Sequence, residues 1–505
     1  MNVVIRNLFH LPAPALIVSL SLMLAGRMTA QTFTTLHSFT AIYRSPFGYY
    51  TNYDGSAPFA GLILSGGTLY GTTVGGGKWD HGTVYKLNTD GTGFTNLHSF
   101  DGLDGARSFG MVLSESTIYG ATAEGGASSY GNVFALNADT GVITNLHTFS
   151  PFYDGSSSSS RLLLCGHTLY GTCPAGGNPG SPGNPGSGTV FKLDTDGTGF
   201  TNVYRFTANA TGTNVDGANP YGGLILISNT LYGTTSSGGR LRSGTVFAVN
   251  TDGTSFTNLH DFTTLASFTT SEGVLVSTNS DGAFSNAELI SAGNTLYGTT
   301  PDGGNSGSGT VFNLNTDGTG FTNLHSFAAL VSNTNADGAY PNAGLILSNN
   351  TVYGTARRGG TSGRGTIFAI NTNGTGFRTL YSFTASPTNS SGVRTNSDGT
   401  QPLGALVLSG DRLYGTAPIG GSFGSGTVFS LSLGSIPPQL TIIRSETNVI
   451  LTWPTNGARF TLQSTTDLAS PASWPPVSPD PAIVNGQNTV TNPISDAQRY
   501  YRLSQ

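Results

Sequence analysis

Charge, cysteine and long apolar runs are all scarce in this chain, and each scarcity excludes something. Only 9% of the 505 residues are charged, 21 basic against 26 acidic, and they are scattered. No clustered basic face is visible, so nucleic acid is not an expected partner. Only two cysteines occur, Cys165 and Cys173. They fall on successive expected strands joined by a turn at Gly166-His167, which puts Cys165 at the turn and Cys173 at the far end. At about 3.3 Å per residue that separation exceeds bridging distance. Both are expected as free thiols that behave as small buried hydrophobes.

After residue 30 no stretch approaches membrane-spanning length. Within residues 1–30, Arg6 supplies a positive n-region, and 13–25 is an apolar run too short to span a bilayer comfortably. This reads as a signal peptide cleaved after Ala30, although Met28 is large for a position that favours small side chains. An uncleaved N-terminal anchor is the alternative. No hydrophobic tail of the anchoring kind stands at the C-terminus. The expectation is a secreted or cell-surface protein with no transmembrane segment in the mature chain.

Glycine, by contrast, is abundant at 72 residues, with much Thr, Ser and Asn. Hydrophobic residues make up 37% and aromatic residues 10%, enough for a core. Gly and Asn punctuate many short apolar runs, which indicates an all-β protein rather than a disordered one. The runs repeat. Leu69-Tyr70-Gly71-Thr72-Thr73, followed by Gly75-Gly76-Gly77, recurs around Tyr119, Tyr170, Tyr232, Tyr297, Tyr353 and Tyr414, at intervals of 49 to 65 residues. A strand-rich repeat of that length indicates a propeller or a related array.

Residues 54–100 serve as the model unit. Asp54-Gly55 opens a turn, and consecutive apolar residues at 60–64 predict a strand A buried on both faces. Gly66-Gly67 turns the chain into strand B at 68–73, and the glycine loop leads to strand C at 83–88. Asp90-Gly91 is a tight hairpin turn before strand D at 94–100. Four such antiparallel strands make one propeller blade. Blocks of A, B and C occur seven times, but D follows only the first six, ending at Phe100, Phe149, Phe206, Phe262, Phe327 and Phe383. The missing D copy is Phe33-Thr34-Thr35-Leu36-His37-Ser38-Phe39. It is expected to pair antiparallel with residues 426–431 and to close the ring, leaving no unpaired inner edge. Phe33, Thr35, His37 and Phe39 should then share one face.

The unit LYGTT..GG....GTVF.LNTDGTGFTNLHSF, spread over residues 31–434, resembles the GloVer-type tandem repeat of exported bacterial proteins with varied C-terminal (choice-of-anchor) segments. The resemblance implies export and repetition and carries no settled activity. The double glycine after strand B is also similar to kelch propellers. The paired Tyr and Trp of a full kelch repeat are missing, so only shared architecture is implied. Repeats stop at Ile436-Pro437-Pro438. Beyond them, strand-like runs at 440–444, 449–453 and 459–463 lead to a terminal Arg499-Tyr500-Tyr501-Arg502-Leu503. Val449-Ile450-Leu451-Thr452-Trp453 resembles the Trp-bearing strand of fibronectin type III modules, with Tyr500 or Tyr501 as the late tyrosine, which implies a short sandwich. The expected fold is therefore an all-β, seven-bladed β-propeller (31–434) closed by its N-terminal strand, plus a small β-sandwich-like domain (435–505).

Candidate chemistry sits on that scaffold. His37, His98, His147, His260 and His325 share one strand D position, with Tyr204 and Tyr381 replacing them in two repeats. Copies on the outer strands of a ring stand too far apart to share a metal, and Tyr replacement suits a ring packed between blades with its polar tip hydrogen-bonded. Asp54, Asp104, Asp154, Asp216, Asp281, Asp337 and Asp398 each precede a strand A. They read as turn formers that accept from the N–H two residues on; single carboxylates of a structural calcium site are the alternative. The B–C loops and the D-to-A connections should form one face. There Trp79, His81, Tyr130, Arg240, Arg242, Arg357, Arg358 and Arg364 offer an aromatic and polar set for a polysaccharide or a surface protein, against the plainer reading of solvated loops. A carbohydrate-active enzyme, hydrolase or lyase, is the other function class and would use Asp80 and Glu124 as paired acids. No cofactor motif is visible.

Overall fold

The structure is a computed structural model. It describes residues 3–6 and 31–504, except 46–47, 49, 151, 178–185, 208–213, 270–272, 274, 435–439, 446, 455–459, 467–473, 485–486 and 494–497. The apolar run at 13–25 lies outside the described residues. Among the described residues every regular element is a β-strand, and no helix is long and apolar enough to cross a membrane.

The first repeat folds as a four-stranded antiparallel sheet: A Ile63–Ser65, B Thr68–Thr73, C Thr83–Asn88 and D Thr95–Ser99. Five more sheets of the same strand order follow in sequence, with inner strands Ala106–Ser114, Leu163–Cys165, Ile225–Ile227, Ile290–Ala292 and Ile346–Ser348. The next is Val407–Ser409, Arg412–Ala417 and Thr427–Ser432, with Phe33–Ser38 as its fourth strand. They are called sheets 1 to 7 below, and each has the build of a propeller blade. Strand A is shorter than its apolar run. Ile63 and Leu64 are only half-buried, because the segment before them leaves the ladder: a Cβ on Gly61 would sit 2.9 Å from the Ala405 carbonyl oxygen of sheet 7.

The LYGTT motif has a physical reading residue by residue. Leu69 is fully buried. Gly71 takes no side chain because the Tyr85 ring of strand C lies on it; a Cβ there would meet the ring at 2.4 Å. At Gly233 the clash would be with Phe247 at 2.7 Å, an overpacking that costs about 1–3 kcal/mol in a tight core. Thr72 donates its hydroxyl to Ser108 O of the next sheet at 2.8 Å. The same bond recurs from Thr172 to Gly222, Thr234 to Ala287 and Thr299 to Ala343. Thr416 of sheet 7 donates in the same way to Ala60 of sheet 1 at 2.9 Å. Thr73 Oγ1 meets Thr83 Oγ1 at 2.9 Å and stitches B to C inside the sheet.

Apolar packing also runs between sheets. Tyr170, Val190 and Phe206 of sheet 3 share a cluster with Leu224, Leu231 and Phe247 of sheet 4. Equivalent clusters lie between sheets 1 and 2, 2 and 3, 4 and 5, and 5 and 6. Phe39, Tyr414 and Val428 of sheet 7 pack with Leu62, Leu69 and Tyr85 of sheet 1. At about 1.5–3 kcal/mol per fully buried large side chain, these interfaces dominate the stability of the unit.

Phe33–Ser38 pairs antiparallel with Thr427–Ser432, Phe33 opposite Leu431 and Ser38 opposite Thr427. The expected single face is not kept. The register shifts between Thr35 and His37, a bulge at Leu36 that breaks the alternation. Phe33 therefore stacks on Tyr381 of sheet 6 at 4.1 Å, while His37 stacks on Phe94 of sheet 1 at 3.9 Å. Sheets 1 to 6 all show the same shift at the same strand C step, as between Val84 and Tyr85 and between Val133 and Phe134. Cys165 and Cys173 are both free, but only Cys173 is buried. Cys165 closes strand A at the turn and is exposed, which corrects the expectation for it.

Phe33–Ser432 forms one unit. The second holds the Val3–Arg6 strand and the chain from Leu433 on. In it Thr441–Ser445, Asn448–Pro454, Gln487–Pro493 and Ala482–Val484 make one sheet, and Val3–Arg6, Gln498–Ser504 and Thr461–Thr465 make another. Leu451, Trp453 and Val490 of the first share a core with Leu462, Tyr501 and Leu503 of the second.

Deleting residues 31–39 removes the partner of Thr427–Ser432 and leaves an open strand edge. The truncated protein is expected to sediment as aggregates where the intact chain stays monodisperse. A truncated chain of unchanged size and melting temperature would show that the pairing is dispensable.

Candidate functional site

The seven Asp side chains reach back to the preceding strand D. Asp54 Oδ2 accepts from His37 Nε2 at 2.9 Å and from Thr40 N at 3.0 Å, and Oδ1 accepts from the Thr40 hydroxyl. The acceptor thus faces the end of the preceding strand D rather than the N–H two residues on. The other six repeat the bond: His98–Asp104 at 2.6 Å, His147–Asp154 at 3.2 Å, His260–Asp281 at 2.9 Å, His325–Asp337 at 3.0 Å, and Tyr204–Asp216 and Tyr381–Asp398 at 2.9 Å. Burial pushes the Asp54 carboxyl up, but the bonds from His37 and Thr40 together outweigh it and hold the group below the usual range. Asp281 is lowered by the same balance with His260 and Thr263. Burial, reinforced by the facing carboxylates, raises Tyr204 and Tyr381 well above the ordinary phenol range. The ring position does pack between sheets, as in His260 on Phe321 and Tyr204 on Phe256, both at 3.9 Å. Donors surround these oxygens, which is an anion's environment, whereas calcium needs several oxygen ligands at once. Among the described residues no three His, Cys, Asp or Glu side chains group as metal ligands.

Two residues before five of these Asp stands an Asn that sequence reasoning missed. Asn52 Oδ1 accepts from Gly55 N and Gly77 N, both at 3.0 Å, while Nδ2 donates to Thr40 O and Gly55 O. The N-x-D-G spacing at Asn52, Asn214, Asn279, Asn335 and Asn396 was the signal available. It ties the D-to-A connection to the glycine loop.

The loop candidates do not converge as one set. Trp79 is 37% exposed with Lys78 Nζ 4.7 Å over its ring. His81 lies on the same loop, its carbonyl accepting from Arg107 N. Tyr130 is exposed on the sheet 2 loop, and Arg240 and Arg242 are exposed on the sheet 4 loop. Arg358 and Arg364 do meet, lining one polar cavity of about 420 Å³ with Arg394, which sequence reasoning did not single out. Arg357 lies beside them, its Nε donating to Gln401 Oε1 at 3.3 Å. Each of the two acids expected to pair has a partner of its own. Asp80 Oδ1 is engaged by Gly76 N at 2.9 Å, and Glu124 by Arg107 Nη1 at 3.1 Å.

A second feature was not foreseen. The residues just before strand A of all seven sheets line adjoining cavities. One, of about 400 Å³, is formed by Phe59, Phe109, Ser159, Tyr221, Asn286, Asn342 and Leu403. The other, of about 660 Å³, is lined by Ile63, Leu64, Ile290, Leu347 and Leu408. Between them lies the residue two before the strand A partner of each repeat tyrosine. It is small in five sheets (Gly61, Gly110, Gly223, Gly344, Ala405) and charged in two, Arg161 and Glu288. Arg161 Nη1 reaches Glu288 Oε1 at 3.7 Å, from sheet 3 to sheet 5. A Cβ on the intervening Gly223 would press on Glu288 Oε2 at 3.1 Å, so glycine there leaves the pair room. Burial raises the Glu288 carboxyl, and Arg161 draws it partly back. Aligning the repeats by their tyrosines would have exposed both departures.

Because Asp54 and Asp281 are held below their unfolded values, they contribute stability that is present above the ordinary carboxylate value of about 3.9 and is lost as pH falls through the lower folded values. Urea midpoints are expected to drop on acidification below about pH 4. Asp281→Asn should lower the midpoint at neutral pH by about 1–3 kcal/mol in stability and flatten the acid limb. An unchanged acid limb in that variant would refute the assignment.

No curated protein matches the sequence. Among solved structures, oligogalacturonate lyase from Vibrio parahaemolyticus is similar at 12% identity and TM-score 0.45, over 81% of this chain and 98% of its own. Puromycin hydrolase is similar at 10% identity and TM-score 0.44, over 82% of this chain and 62% of its own. A chain of the nidogen/laminin complex is similar at 14% identity and TM-score 0.36, over 60% and 88%. Likeness at these levels carries no information about activity. The Gloeobacter/Verrucomicrobia repeat, in contrast, matches residues 26–206 and 214–396, well over half of the sequence, and the chain belongs to that repeat family.

Proposed function

We propose that this is an exported seven-bladed propeller that binds polysaccharide at the mouth of its channel. In this reading the seven sheets close on one another, with Phe33–Ser38 as the outer strand of the last blade. Support for closure is that sheet 7 meets sheet 1 through the three devices that also join sheet 1 to sheet 2: a Thr hydroxyl, here that of Thr416, a shared apolar cluster and a His–Asp bond, here His37–Asp54. Residues 435–505 act as a fibronectin-like accessory module, a reading supported by Trp453 and Tyr501 in one core.

The observation that carries the function is the cavity of Phe59 and Tyr221, which closure would make the mouth of the channel. Phe59, Phe109 and the exposed Tyr221 stand there beside Ser159, Asn286 and Asn342. Aromatic faces stack on the apolar faces of sugar rings, and hydroxyl and amide groups exchange hydrogen bonds with sugar hydroxyls. Asn286 donates to Asn342 at 3.3 Å, while its own buried carbonyl oxygen has no protein donor. An incoming hydroxyl would supply one. Glycoside hydrolysis needs two carboxylates about 5–10 Å apart. Among the described residues that line the two cavities, Glu288 is the one acid, and it is tied to Arg161. Retention of the ligand is therefore favoured over cleavage.

A glycan array followed by calorimetry on the best ligand tests this. The ligand is expected to be recovered uncleaved, and Tyr221→Ala to weaken binding about three- to tenfold. Shortened products would establish an enzyme instead, and binding only to cell-surface protein would replace the polysaccharide. The export part of the reading predicts that protein recovered from culture medium begins at Gln31. Cleavage would remove Val3–Arg6 and leave Gln498–Ser504 paired with Thr461–Thr465. A secreted chain that retains Val3–Arg6 would overturn it.

A further inference from the structure

The polar cavity of sheet 6 is marked by its positive charge. Three guanidinium groups, Arg358, Arg364 and Arg394, line its 420 Å³, and no carboxylate does. They come from two segments: Arg358 and Arg364 from the sheet 6 B–C loop, and Arg394 from the connection between sheets 6 and 7. This concentration occurs in a chain of net charge −5 that carries only 21 basic residues. Elsewhere Arg107 and Arg161 have acidic partners, but among the described residues none of these three is in an ion pair. Arg358 instead lies 5.7 Å from the centre of the Tyr340 ring. Arg364 is half-buried, and its Nε–H is shut off from solvent with no protein acceptor. A buried donor on a charged group without an acceptor is costly, and an anion removes that cost. Burial and the charge of Arg358 together lower the proton affinity of neighbouring Arg357, a second sign of crowded positive charge.

The rest of the lining narrows the anion. Ser332, Asn333, Ser362 and Gln401 place hydroxyl and amide groups beside the arginines. Gln401 accepts from Arg357 through its oxygen, which leaves its amide nitrogen as a donor. Guanidinium forks match the planar geometry of carboxylates and the oxygens of sulfate esters. The volume falls in the range of small-molecule sites and exceeds what a bare oxyanion fills. We propose that this cavity binds an acidic sugar unit, its carboxylate or sulfate held by Arg358, Arg364 and Arg394 and its hydroxyls by the serines and amides. The site is separate from the channel mouth and takes from the proposed function only that the ligand is a polysaccharide.

Calorimetry with polygalacturonate, dextran sulfate and unmodified dextran tests it, on the full chain and on four variants: Arg364→Ala, Arg394→Ala, Arg240→Ala and Tyr221→Ala. The wild type is expected to bind at least one acidic polymer about tenfold or more tightly than dextran, with affinity falling as salt rises. The tighter polymer identifies the oxyanion. Arg364→Ala and Arg394→Ala should each lose about tenfold. Arg394 lies on an exposed connection, so its removal leaves the core intact should Arg364→Ala fold poorly. Equal loss on Arg240→Ala would mean diffuse surface charge and would overturn the site. So would equal affinity for dextran and both acidic polymers. Loss on Tyr221→Ala with none on Arg394→Ala would place acidic binding at the channel mouth and refute this cavity, whereas the reverse pattern supports it.

Discussion

One hydrogen bond organises the repeat unit: the ring of strand D, His or Tyr, on the carboxylate that opens the next sheet. It is formed seven times, five times by His and twice by Tyr. The bond lies where one sheet ends and the following one begins, so it sets the angle at which each sheet meets its neighbour. Around it, the Asp accepts from the backbone N–H and hydroxyl at the strand end, as with Thr207 and Asp216. In five sheets an Asn two residues earlier braces the same corner, as Asn214 does by donating to the Thr207 carbonyl and Asn52 by accepting from Gly77 N of the glycine loop. Buried polar groups are stable only when satisfied, and here satisfaction and inter-sheet geometry are the same arrangement.

Substitution of Tyr for His follows from that requirement. Both rings offer a flat apolar face and a polar edge, and both reach the carboxylate at about the same distance. The stacking partner matters less than the bond. Sheet 2 has Ile143 where its neighbours have Phe94 or Phe200, yet His98 keeps Asp104 at 2.6 Å. Electrostatics and packing are separable at this corner, and the electrostatic part is the one that never varies.

A repeated scaffold leaves function to the departures from it. Five sheets present glycine or alanine between the two adjoining cavities, while sheets 3 and 5 present Arg161 and Glu288. Likewise, the sheet 6 loop and its following connection bring Arg358, Arg364 and Arg394 to one cavity. A side chain that breaks a packing register must have somewhere to go, and these cavities and the loop face are places with space.

The sequence by itself determined the all-β class, the strand order within each sheet and the pairing of the N-terminal strand with the last block. These follow from alternation, turn residues and a strand count, which are local properties or simple sums of them. It also located the His and Asp positions and gave the His ring its place between sheets. Tertiary structure decided how they meet. That Asp54 faces His37, seventeen residues earlier, depends on the corner between two sheets, which no local pattern encodes. The bulge at Leu36, which sends Phe33 and His37 to opposite neighbours, is a twist adjustment of a paired strand. Cys165 was misplaced because a three-residue strand A leaves its end exposed. Arg161 and Glu288 come together from sheets 3 and 5, a contact between strands far apart in the chain that only long-range packing brings within reach.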